Sequence, residues 1–112
     1  MLHMVVITHG ADTCAASHIE AGDLLREARD QLADASKKLG INVQGWWVDP
    51  PGHVFYLIAD APHAHAVNGL MTELKLFHWN TVDIHPIVTM DEAMPLAAKI
   101  EPQRSKARFL SV

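Results

Sequence analysis

His9, Asp12, Cys14 and His18 fall within ten positions of the stretch VVITHGADTCAASHIE, residues 5–20. Imidazole nitrogens, a thiolate and a carboxylate oxygen form a donor set suited to zinc, copper or iron. Two further segments carry histidine at turns: His53 in PPGH and His78 in FHWN. The His9-x4-Cys14 spacing matches no standard metal motif, so a site here must be assembled by the fold. The competing reading is that these are solvated loop residues.

A second set points to proton transfer. Asp83 and His85 alternate on one short apolar segment, and His3 lies near the start of another. A carboxylate beside imidazoles in an apolar enclosure fixes the tautomer and tunes proton affinity. Charged residues on an edge strand also serve to block unwanted pairing. Cys14 precedes a helix start closely enough for the dipole to favour a thiolate, although a small side chain packing the loop is the plainer role.

The elements that must position these residues follow from periodicity and punctuation. Leu2–His9 is β-branched in its middle and stops at Gly10, as a strand does. Ser17-His18-Ile19-Glu20 has the form of a capping box. The helix it opens runs from His18 to Leu39 with an apolar stripe of Ala21, Leu25, Ala28, Leu32, Ala35 and Leu39. Gly40 ends it as the left-handed residue.

Residues 41–48 and 54–59 are two strands reversed by the prolines and glycine of DPPG. Asp60 is expected to cap a second helix with Pro62 in its first turn and Val67, Leu70, Leu74 and Phe77 as its stripe. Residues 80–89 form the last strand, placed on an edge by Pro86. Thr89 to Glu92 can cap a short further helix. Residues 1–95 make one domain and residues 96–112 a basic arm expected to dock on an acidic surface of the body or of a partner copy.

The order β-α-β-β-α-β, with right-handed crossovers, predicts an α+β, ferredoxin-like fold: a four-stranded antiparallel sheet ordered 4-1-3-2 with both helices on one face. That order gathers THGADTCAAS, PPGH and FHWN at one rim. His9, at the end of a central strand, ranks first as ligand, then His78 and His53, then Cys14. Asp12 is a substitute oxygen donor.

If Val82 and Ile84 face the helices, Asp83 and His85 face away. His3 joins them there if Leu2, Met4 and Val6 face the helices. Consecutive apolar residues at 5–7, at 46–47 and through 54–58 make three strands apolar on both faces. Two helices cover one face, so an identical sheet is the simplest cover for the other.

With 112 residues, 49% of them hydrophobic, the chain is sized for one core. No apolar run approaches the roughly 18 residues of a membrane helix, and no cleavable leader precedes the first strand. A single cysteine forms no internal disulfide. A cytoplasmic protein with no membrane association is expected. Residues 1–98 hold 12 acids and 5 bases, and 99–112 hold 1 acid and 4 bases, so the body is near −7 and the tail near +3. An acidic body argues against nucleic-acid binding. Eight histidines are the compositional anomaly.

A single ferredoxin-like unit of this length, apolar on both sheet faces over residues 2–89, resembles the dimeric α+β barrel superfamily. The resemblance implies two sheets closed into a shared barrel, with a ligand pocket between sheet and helices or inside the barrel. Members include cofactor-independent monooxygenases, isomerases, haem-degrading enzymes and effector-binding modules. No motif here selects a branch, and nucleotide-binding and catalytic-triad signatures are absent.

The expectation is a homodimer binding a small molecule or a metal through His9, His53, His78 and Cys14. The alternatives are a monooxygenase or isomerase using His85, Asp83 and His3, and a non-catalytic binding or assembly module. Trp46, Trp47, Phe55, Tyr56 and Trp79 are candidates to line an aromatic ligand's pocket.

Overall fold

The structure is a computed structural model that describes residues 1–100. Four strands, β1 (Leu2–Thr8), β2 (Asn42–Asp49), β3 (Val54–Asp60) and β4 (Thr81–Ile87), pair antiparallel in the order β2-β3-β1-β4. This is the expected 4-1-3-2 sheet read from its other edge, so the α+β class and topology hold. Helix α1 (Ile19–Lys38) and helix α2 (Ala64–Glu73) lie where the two crossovers require them.

Burial alternates along the strands as a one-sided sheet demands. His3, Val5 and Ile7 of β1 and Phe55, Leu57 and Ala59 of β3 are buried, whereas Met4 and Tyr56 are exposed on the other face. The stripe on α1 is real: Ala21, Ala28 and Ala35 are buried, and Leu25, Leu32 and Leu39 pack partly buried around them. Small residues one heptad apart let this helix sit close on the sheet. Val67, Leu70, Met71 and Leu74 of α2 complete the core.

The helix caps differ from expectation. His18, not Ser17, caps α1: its Nδ1 accepts the Ala21 N–H at 3.3 Å, while the Ser17 hydroxyl donates to the Ala11 and Cys14 carbonyls. His63, not Asp60, caps α2 by accepting the Ala66 N–H at 3.1 Å. Asp60 is held instead by the N-terminal amine at 2.7 Å, and Pro62 lies before the cap. Imidazole serves here because an extended residue at each cap position points a ring nitrogen at the free N–H groups of the first turn. Gly40, at φ +69, ends the first helix segment as expected.

A third helix, α3 (Met90–Ile100), opens with the expected box. Glu92 N–H donates to the Thr89 hydroxyl at 3.0 Å, and Thr89 N–H donates to the Glu92 carboxylate at 3.3 Å. It passes through Pro95 with no buried residue. The expected boundary at 95 therefore falls within a helix. Residues 101–112, most of the basic arm, lie outside the described residues. Among the described residues, no helix is long and apolar enough to cross a membrane.

Candidate metal centre

Three segments meet where β1 ends and β3 begins. His9 follows β1 directly, and its backbone N–H donates to the His53 carbonyl at 3.2 Å, which ties the two histidine-bearing residues across adjacent strands. His53 closes the DPPG reversal at φ +56, a left-handed conformation uncommon for a residue with a side chain. Its N–H is anchored on the Pro50 carbonyl, and the Asp49 carboxylate accepts from Gly52 N–H. Cys14 arrives from the loop after a 3-10 turn at Ala11–Thr13.

That loop is seated against α1 at Gly22, where a Cβ would stand 3.0 Å from the Ala15 carbonyl oxygen. The Cys14 carbonyl accepts from Ser17 and His18 N–H at 3.0 and 2.8 Å. One donor atom each from His9, Cys14 and His53 thus lies within 4.8 Å of the others, all three residues half-buried. Tetrahedral zinc with bonds of 2.0–2.3 Å spaces its donors at about 3.5 Å, a small rotamer adjustment from this arrangement. His9 Nε2 and His53 Nδ1 are buried with no hydrogen-bond partner. Two desolvated ring nitrogens without partners are costly unless something takes them.

The ring of His9 is wedged between Phe55 and Trp79, with centroids 5.6 and 5.3 Å away, and lies edge-on to His53 at 5.3 Å. Its Nδ1 sits 3.0 Å from Asn80 Oδ1, and Asn80 Nδ2 donates to the Leu76 carbonyl at 3.1 Å. Since the amide nitrogen is committed to Leu76, its oxygen faces His9 and accepts from Nδ1–H. That leaves Nε2 as the ring's lone pair.

His78 does not join. It ends the 3-10 turn Leu76–His78 as an exposed residue, and the chain presents its neighbours Trp79 and Asn80 to His9 instead. Left-handed Lys75, at φ +59, turns the chain out of α2, so Leu76 is buried and Phe77, expected in the apolar stripe, is exposed. Asp12 is exposed, its carboxylate folded over Gly10. Asn80 is the residue that reading by donor type passed over, although it stands in the FHWN segment placed at this rim.

The second set is divided between the two faces. His3 is fully buried on the helix face, while Asp83 and His85 pair in register with Val6 and Met4 on the open face. Leu2, Met4 and Val6 thus face away from the helices, opposite to the arrangement that would have united His3 with His85. Of the aromatic residues, Trp46, Trp47 and Phe55 line a cleft of about 280 Å³ between α1 and β2, together with Arg26 and Arg29. Tyr56 and Trp79 lie elsewhere.

The fold is similar to that of SCO4226 from Streptomyces coelicolor A3(2), at 20% identity and a TM-score of 0.54, over 78% of this chain and 96% of that one. A proposed transposase from Deinococcus radiodurans R1 aligns over 94% of this chain and 92% of its own, at 17% identity and a TM-score of 0.43. No curated protein matches. A family model matches residues 1–101, and the chain belongs to that family, the Domain of unknown function DUF3303.

Proposed function

We propose that this protein binds a transition metal ion, zinc, copper or iron, through His9, His53 and Cys14. The observation that carries this reading is the convergence of three donors within 4.8 Å, two of them supplied by imidazoles that each keep a buried, unpartnered nitrogen. A left-handed backbone at His53 adds support, because strain of that kind is retained where a side chain must be aimed. The proton-transfer alternative is weaker, since His3 lies on the other face from His85 and Asp83. Metal analysis of protein purified without a polyhistidine tag tests the proposal. About one ion per chain, lost in His9→Ala, supports it, and a metal-free parent that takes up none of the three ions refutes it.

The protein acts, in this reading, as a homodimer. Leu2, Met4, Val6, Tyr56, Ile58 and Ile87 form a contiguous apolar surface on the sheet face that no described helix covers. A second copy of the same face is a self-complementary cover. Equilibrium ultracentrifugation at micromolar concentration distinguishes dimer from monomer.

A further inference from the structure

We infer that the metal ion keeps one coordination position free of protein, and that this position takes water or a small monoanion. The inference rests on the metal reading above. Closed structural zinc sites use four protein ligands, whereas sites with three keep a place for an exchangeable ligand. Among the described residues, no fourth His, Cys, Asp or Glu lies within mutual reach of the three donors.

The other candidate donors stand apart from the three ligands. Asp12 folds over Gly10, His78 is exposed, and His18 Nδ1 accepts the Ala21 N–H. Asn80 has its oxygen on His9 and its nitrogen on the Leu76 carbonyl.

The chemistry of the surroundings selects the ligand. Two neutral imidazoles and one thiolate leave a divalent ion with a residual charge of one, which a monoanion neutralises. Trp79, only 8% exposed, carries an indole N–H with no partner, and its ring centroid is 5.3 Å from that of His9. An anion with a second acceptor atom, as in azide or a small carboxylate, satisfies that donor while its first atom binds the metal. Phe55 and Trp79 restrict the space beside His9 to something small.

The test uses the cobalt(II)-loaded full-length protein titrated with sodium azide and followed by its visible ligand-field absorption. A saturable change in those bands is expected, and cobalt-loaded Trp79→Phe should bind azide about tenfold more weakly than the cobalt-loaded parent. Bound cobalt whose bands ignore azide overturns the open position and leaves the metal reading standing. Failure to bind cobalt at all overturns both. Azide binding unaffected by Trp79→Phe overturns the indole's part in selecting the anion.

Discussion

Asn80 Oδ1 lies 3.0 Å from His9 Nδ1 across 71 positions of sequence, and the same amide donates to the Leu76 carbonyl at 3.1 Å. The amide is thereby oriented, and its oxygen favours the His9 tautomer with the proton on Nδ1 and the lone pair on Nε2, the nitrogen assigned to the proposed metal. Asn80→Ala is expected to weaken metal binding about 10–100-fold with little change in fold, as loss of a ligand's supporting hydrogen bond does. Asn80→Asp, which keeps an acceptor, should restore most of it. Nitrogen NMR of the metal-free protein provides an independent readout, with His9 moving from one tautomer to a mixture in Asn80→Ala.

His9→Ala should abolish metal uptake and His53→Ala or Cys14→Ala should weaken it severely, whereas His78→Ala behaves as the parent. Protons compete with the ion for the same lone pairs, so affinity should fall on acidification in the parent. Isothermal titration across a pH series checks both. Equal loss in His78→Ala and His9→Ala would contradict the arrangement of the centre.

His3 is fully buried, with neither ring nitrogen bonded, beside Ala59 and Pro86 in register. A desolvated polar group without a partner costs about 1–3 kcal/mol. His3→Leu should therefore stabilise the fold by an amount of that order, read as a higher denaturation midpoint in urea. A lower midpoint would mean that the imidazole has a role worth its burial.

Tyr56 stands on the uncovered sheet face in the same cross-strand row as Val6 and Asp83. Tyr56→Glu places a second carboxylate in that row and charges the surface assigned to the second copy. On the proposed dimer, the variant should sediment as a folded monomer at concentrations where the parent pairs. If parent and variant sediment alike, this face is not the interface.

The Lys38 ammonium meets the Glu73 carboxylate at 2.7 Å, joining the C-terminal ends of α1 and α2. The hydrogen bond that the ammonium donates to Glu73, and then the charge of that carboxylate, raise the lysine above its ordinary value of 10.5. A raised lysine contributes stability in full below its unfolded value, and the contribution disappears as pH rises through the folded one. The pair is exposed, so its effect is modest and screened by salt. Denaturation midpoints of the parent and Glu73→Gln should thus converge above pH 10.5 in low salt. A difference that persists there would assign Glu73 some other role.

Much of this architecture is legible because its signals are local. DPPG makes a reversal wherever it stands, Gly40 suits a left-handed helix end, and a three-and-four spacing of Ala and Leu makes an amphipathic helix. From the resulting topology it follows that His9, Cys14 and His53 share one rim. The caps are less legible: serine and aspartate are preferred there in general, but His18 and His63 have the geometry, and Asp60 pairs with the N-terminal amine. Nothing in the spacing of Leu76, Phe77 and His78 reveals that Lys75 turns left-handed and rotates Asn80, not His78, toward His9.

By itself the sequence determined the order of elements, the strand arrangement and the segments that meet at the rim, since each depends on periodicity and turn chemistry within a few residues. Tertiary structure decided which face each side chain occupies. Strand side chains alternate with period two, so a shift of one residue reverses every assignment along a strand. In β1 the pairing with β3 and β4 sends His3 into the core and away from His85. In β2 a bulge between Val43 and Gly45 sets Trp46 opposite buried Leu57 and Trp47 opposite exposed Tyr56. Two adjacent tryptophans carry no mark of which one faces the helices, because that choice belongs to the register with β3, whose residues are distant in sequence.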